Sequence, residues 1–257
     1  MRITEIKTYV LVADNADVSL TSSAQDTILV EIYTDKGIIG YGETDTNPWV
    51  AKALIDSPGT HTMDQSMKDI LIGKDPLDIS KRWEELYIGT AMTGRRGAGV
   101  NAIGAIDMAL WDIKGKYENK PVYELMGGNF HKTITPYASL QPLGSSFEEY
   151  RDSLVEWAEK ARNLGFRAVK SEVTMNGPYA HNGMEENDEK HTLVLEAVRK
   201  ALGPEIKLMV DVQYKWKTAE DALRTVKDWE EFDIYFLETP VWTDSLEDYA
   251  RMHEEAP

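Results

Sequence analysis

The second half of the chain constrains the fold most, because short apolar runs alternate there with polar, helix-patterned stretches. ITPYASL (134–140) is followed by a helical stretch near 147–163, FRAVKSEV (166–173) by one near 187–201, IKLMVDV (206–212) by one near 218–231, and DIYFLE (233–238) by one near 244–254. Strands separated by a helix cannot form a tight hairpin, so their natural pairing is parallel through crossovers. Four such βα units in succession imply a parallel sheet, either open and doubly wound or curved into a barrel, of which they would be about half.

The first half obeys other periods. RITEIKTYVLV (2–12), DTILVEIYT (26–34) and IIGYGE (38–43) alternate as antiparallel strands, and Asp35-Lys36-Gly37 supplies the turn between the last two. From Pro48 to Tyr117 the pattern is helical, with Trp83, Leu86, Val100, Ile103, Ile106, Leu110 and Ile113 recurring at steps of three and four. The glycine pair Gly127-Gly128 separates the two regimes. The expected organisation is an α+β domain over 1–130 and a parallel βα domain over 131–257.

Charge and composition narrow the function. The 257 residues hold 44 acidic and 28 basic side chains, a formal net charge of -16. An acidic surface repels phosphate backbones and anionic lipid, so neither nucleic acid nor membrane is expected as a partner. Cysteine is absent, which removes disulfides, thiolate nucleophiles and thiolate-bound zinc. Any metal must therefore use oxygen or imidazole. MRITEIKTYVLV alternates instead of forming an apolar leader, and no run approaches membrane-spanning length, so a cytoplasmic location is expected.

Chemistry gathers at the strand ends. Asp211 closes IKLMVD and Glu238 closes DIYFLE. In parallel strands both carboxylates leave the sheet at its C-terminal edge, where α/β folds place their sites, and two oxygen ligands there suit a hard cation. Lys170 closes FRAVK at the same edge. The period of two turns Lys170 and Glu172 to one side and Ser171 to the other. Gln213, two residues beyond Asp211, is expected on that side as a polar contact to a substrate hydroxyl. The long loop VTMNGPYAHNGMEEN (173–187) follows the second of these strands and carries Tyr179 and His181. Loops of this length at this edge are commonly functional. His181 is a candidate general acid for a hydroxyl leaving group, whereas His61, His131, His191 and His253 fall on helices or connectors where surface positions are expected.

GAIDMALWDIKGK (104–116), PVYELMGG (121–128), GFRAVK (165–170), LMVD (208–211) and LETP (237–240), in that order, resemble the mandelate racemase and muconate lactonizing enzyme branch of the enolase superfamily. The resemblance implies a capping domain followed by a TIM-like barrel. It also implies Mg2+ held by three carboxylates on consecutive strands, with Asp211 and Glu238 matching the first two. The third ligand is expected beyond Pro257, as are later strands that carry a histidine base in many members. The implied reaction removes a proton α to a carboxylate and forms an enediolate, whose charge a divalent cation can neutralise.

Many relatives end the second barrel strand Lys-x-Lys, and this chain has Lys170-Ser171-Glu172. Three roles are open to that pair. Lys170 stays cationic and steadies the substrate, the reading favoured here; or Glu172 is itself the acid/base group; or the two form a structural ion pair. Two capping loops, 15–26 and 44–52, are implied to choose the substrate. Their Thr21, Ser22, Thr46 and Trp49 suit a hydroxylated chain, favouring dehydration of an aldonate or aldarate to a 2-keto-3-deoxy acid, a hydro-lyase reaction. Racemisation, epimerisation and cycloisomerisation share the first step. A further expectation is that the 257 residues alone, lacking a third carboxylate, form an inactive fragment; the full-length form is expected to be a homo-oligomer acting on a small carboxylate.

Overall fold

The computed structural model describes residues 1–17, 25–94, 96–128 and 130–257. They form two compact units, one within Met1–Lys132 and the other over Thr133–Pro257.

In the first unit the alternating segments become β1 (Ile3–Val12), β2 (Asp26–Thr34) and β3 (Ile39–Thr44), an antiparallel sheet in that order. The helical stretch splits into α1 (Pro48–Asp56), α2 (Met67–Leu71), α3 (Ile79–Gly89), α4 (Ala98–Glu118) and α5 (Val122–Leu125). One break follows from chemistry: Ser57 is extended after α1, as the residue before Pro58 must be. Helix α4 buries Ala102, Ile103, Ile106, Ala109, Leu110 and Ile113 in a core shared with Ile28, Val30 and Ile32. Full burial of each large aliphatic contributes about 1.5–3 kcal/mol. At its two glycines strand β3 meets the backbone of α4 directly. A Cβ on Gly40 or Gly42 would collide with the carbonyl oxygen of Ala109 or Ala105.

The second unit is a four-stranded parallel sheet, β4 (Ala138–Leu140), β5 (Ala168–Glu172), β6 (Lys207–Asp211) and β7 (Ile234–Glu238), in sequence order. The crossovers are α6 (Phe147–Asn163), α7 (Asp188–Leu202) and α8 (Ala219–Val226), and α9 (Leu246–Glu255) follows β7. Sequence-ordered parallel strands with intervening helices are what four βα units require. A capping box at Ser146 and Glu149 starts α6. Two expectations are trimmed. The first strand keeps only Ala138–Leu140 of the seven apolar-run residues, because Pro136 lacks a donor and cannot extend the ladder. The helix expected near 218–231 ends at Val226 and tightens into a 3-10 turn, Lys227–Phe232. That turn buries both Trp229 and Phe232, three residues apart and so on one side of a three-residue period. Val169, Leu208, Val210 and Val212 face the helices in one core with Leu154, Val194, Leu195 and Val198.

Candidate metal and active site

The other face of this sheet carries the chemistry. Glu172 pairs in register with Asp211, and Asp211 with Glu238, so three carboxylates end three neighbouring strands at one level. A register shift between Leu208 and Met209 brings Asp211 and Glu238 into line. The expected alternation holds on β5: Ser171 is fully buried with the core-facing residues, and Lys170 is turned to the carboxylates.

The Lys170 ammonium stands between two of them, 2.8 Å from Glu238 Oε2 and 3.7 Å from Asp211 Oδ2. Burial pulls its pKa down, but the hydrogen bond and charge of Glu238, with Asp211, outweigh that and leave it raised. Lys170 is therefore a fixed cation at neutral pH. Among the described residues its ion pairs are with these two carboxylates and not with Glu172. Asp211 Oδ1 accepts from the Gln213 N–H at 3.0 Å and the Thr239 hydroxyl at 2.9 Å, which orients Oδ2 toward Lys170.

Glu172 is 6% exposed. Burial first, then the charge of Asp211, pushes its carboxyl up to about 7 against the opposing pull of Lys170. Its Oε1 and the Oε1 of Gln213 are buried without a hydrogen-bond partner, and such oxygens are costly unless a ligand completes them. Gln213 lies past the end of β6, in the left-handed region at φ +48°. A turn, rather than strand alternation, sets its position.

The donor set fits a hard divalent cation. Two carboxylate oxygens already converge on a positive charge, and orphaned oxygens flank them. No cluster of three or more histidine, aspartate or glutamate side chains placed to hold a metal occurs among the described residues, so Asp211 and Glu238 stand as a two-carboxylate pair.

His181 is placed differently from a free acid. It is 9% exposed, its ring sits edge-on to Tyr150 at 5.5 Å, and its Nε2 lies 3.0 Å from the Gly144 carbonyl oxygen. Burial lowers its pKa. Thr46 precedes α1 and Trp49, 57% exposed, lies in its first turn; both belong to the first unit. Thr21 and Ser22 lie outside the described residues.

The expectation of a surface position for His191 is corrected. It is completely buried; its Nδ1 bonds the Asn187 carbonyl at 3.1 Å and its Nε2 accepts from the Met175 N–H at 2.9 Å. Burial holds it down at about 4, so it is neutral. The long loop is anchored by it and by a lysine that sequence reasoning missed. Lys215, its side chain 1% exposed, bonds Asn176 Oδ1 and lies 2.7 Å from Asp188 Oδ1. Asp188 Oδ2 accepts from Trp216 Nε1 at 3.0 Å and the Thr225 hydroxyl at 2.9 Å. Asp188 lies in the first turn of α7, and no local pattern in the sequence joins it to Lys215.

No helix among the described residues is long and apolar enough to cross a membrane.

Residues 6–127 match the family described as mandelate racemase / muconate lactonizing enzyme, N-terminal domain, and residues 153–257 match the enolase C-terminal domain-like family. The chain is 31% identical to an arabinonate dehydratase of Saccharolobus solfataricus, with 98% of this chain and 65% of that protein aligned. It is 30% identical to a D-galactarolactone cycloisomerase of Agrobacterium fabrum, with 100% and 63% aligned. A racemase from Streptomyces coelicolor, solved with bound magnesium, superposes with a TM-score of 0.80 at 26% identity, over 99% of this chain and 67% of that one. The chain thus spans just under two thirds of the length of these curated relatives. The two family matches, on the two units in the same order, show that the chain belongs to the mandelate racemase and muconate lactonizing enzyme branch of the enolase superfamily.

Proposed function

We propose that the chain supplies the metal-binding half of an active site that removes a proton α to a carboxylate, and that its reaction is dehydration of an acid sugar to a 2-keto-3-deoxy acid. The observation that carries this is the Lys170 ammonium held between Asp211 and Glu238, a cation position at the C-terminal edge of a parallel sheet with two unpartnered oxygens beside it. The four βα units would be half of a barrel, and a third carboxylate ligand for Mg2+ would come from the additional length that the relatives possess.

Asp211 Oδ2 and Glu238 would hold Mg2+. Bound there, the ion would neutralise the charge that grows on the substrate carboxylate as the α-proton leaves. Lys170, displaced from between the carboxylates but still charged, would pair with the substrate carboxylate. Glu172 carries or lacks its proton near neutrality, as an acid/base group must. Protonated, it can deliver a proton to the departing β-hydroxyl; ionised, it can accept one. Gln213 Oε1 can accept from a substrate hydroxyl. Thr46 and Trp49, with Thr21 and Ser22, are proposed as substrate contacts. His181, committed to the Gly144 carbonyl, is given a packing role. The relatives named above include a dehydratase and a cycloisomerase of sugar acids, which supports the substrate class.

The test is incubation of a protein that carries this chain together with the further barrel length its relatives possess, with MgCl2 and a panel of aldonates and aldarates in D2O and semicarbazide to trap keto products. A trapped 2-keto-3-deoxy acid is expected. Deuterium at the α-carbon with no keto product would overturn dehydration in favour of racemisation, epimerisation or cycloisomerisation.

A further inference from the structure

The carboxylate of Asp211 is held more tightly than that of Glu238. Its Oδ1 takes two donors, the Gln213 N–H at 3.0 Å and the Thr239 hydroxyl at 2.9 Å. A carboxylate has about four lone-pair sites, shared between its two oxygens. Oδ1 is therefore saturated, and Oδ2 alone stays open, with the Lys170 ammonium 3.7 Å away. Glu238 is not restrained in this way. Its Oε2 meets Lys170 at 2.8 Å, and no protein donor reaches its Oε1 among the described residues.

The backbone fixes both donors to Asp211. Past the two ligands the chains after β6 and β7 continue to pair: the Val212 N–H bonds the Glu238 carbonyl at 3.3 Å, the Tyr214 N–H the Thr239 carbonyl at 2.7 Å, and the Trp216 N–H the Pro240 carbonyl at 3.2 Å. This pairing keeps three non-glycine residues in the left-handed region, Gln213 at φ +48°, Tyr214 at +56° and Thr239 at +49°. For a β-branched threonine that conformation is an outlier, and such strain persists only where the surroundings over-determine it, commonly at ligand clamps. Thr239 gives its carbonyl to the pairing and its hydroxyl to Asp211, so one strained residue couples the loop to the ligand.

Coordination chemistry gives that coupling a consequence. Mg2+ demands a near-ideal octahedron at about 2.0–2.1 Å, whereas Ca2+ takes about six to eight oxygens at roughly 2.3–2.6 Å and readily accepts both oxygens of one carboxylate. A carboxylate with one saturated oxygen serves Mg2+ as it stands. To chelate Ca2+ it must first give up a hydrogen bond.

We propose that Thr239 is a positioning residue that confines Asp211 to one-oxygen ligation and so sets the preference of the site for Mg2+ over Ca2+. That role rests on the reading of Asp211 as a metal ligand given above.

Titration calorimetry with MgCl2 and with CaCl2 tests it, on a protein that carries this chain together with the further barrel length of its relatives. Thr239→Val keeps the shape and the branching but loses the hydroxyl, and should lower the ratio of Mg2+ to Ca2+ affinity about ten-fold. Thr239→Ser should keep the ratio. Thr239→Gly removes the hydroxyl while relieving the left-handed strain, so it should fold readily and lower the ratio as Thr239→Val does. A role in folding alone would weaken both ions alike. An unchanged ratio in the Val and Gly variants, or an equal loss in the Ser variant, would overturn the role of Thr239. If Asp211→Asn weakens both ions while the Thr239 variants leave the ratio untouched, the ligand reading stands and the positioning role falls. If neither ion binds, or Asp211→Asn leaves both affinities unchanged, the ligand reading itself falls.

Discussion

Two lysine–aspartate centres lie in the second unit, and they are built to opposite rules. Around Lys215 every polar atom named above has a partner: the ammonium meets Asn176 and Asp188, and Asp188 also takes Trp216 and Thr225. Around Lys170 the bonding is incomplete. Its ammonium serves two carboxylates at unequal distances, and Glu172 Oε1 and Gln213 Oε1 have none. A saturated buried network holds structure because its members have no better alternative. An unsaturated one stores interactions for something that arrives. The difference separates scaffold from site where both consist of the same residue types.

That contrast can be broken by mutation. Lys215→Met leaves Asp188 without its charge partner, and because the Asp188 side chain is 37% exposed the cost is about 1–3 kcal/mol, below that of a fully buried pair. Urea denaturation should show a loss of that size, and a loss under 1 kcal/mol would place Lys215 outside the scaffold. The next effect is a pH dependence. His191 is held at about 4 in the fold against 6.5, so its contribution is complete above about pH 6.5 and disappears as pH falls through 4. The linked energy is at most about 3 kcal/mol. His191→Gln should flatten the loss of stability between pH 7 and pH 4 in the same denaturation series, and an unchanged acid limb would show that other groups govern it.

Asp211→Asn keeps an oxygen for Gln213 and Thr239 but removes the ligand charge. Mg2+ affinity should fall on the order of 100-fold, read by titration calorimetry, with the melting temperature of the metal-free protein nearly unchanged. Lys170→Met is read chiefly through the metal. With the Lys170 and Asp211 side chains only 15% and 17% exposed, removing the cation from between two carboxylates should cost about 1–3 kcal/mol, while Mg2+ should bind more tightly once a competing cation is gone. Weaker Mg2+ binding in that variant would count against the cation position.

The unsaturated centre was largely legible in the sequence, and the saturated one was not. Lys170, Glu172, Asp211 and Glu238 end apolar runs, and strand period two with parallel pairing is enough to bring them to one edge. Lys215 and Asp188 are joined across a helix and a strand, and neither follows an apolar period, so no repeat announces their contact. His191 read as a surface residue because it falls on a helix away from the strand ends, yet it turns to the buried stripe and receives the Met175 N–H. Gln213 was assigned by alternation, but β6 had ended two residues earlier. In the first unit the antiparallel strands announced themselves for the same reason as the carboxylates, through local periodicity.

The bare backbone contact between β3 and α4 has a mechanical consequence. Gly40 and Gly42 sit two residues apart on a strand, Ala105 and Ala109 four apart on a helix, and the two spacings, about 6.6 Å and 6.0 Å, nearly coincide. The helix is thus keyed to the sheet like a bolt seated in two notches, with a single setting along its length. Such a joint resists sliding even where side chains on either flank are exchanged, so this interface can drift in sequence at its margins while its geometry stays put.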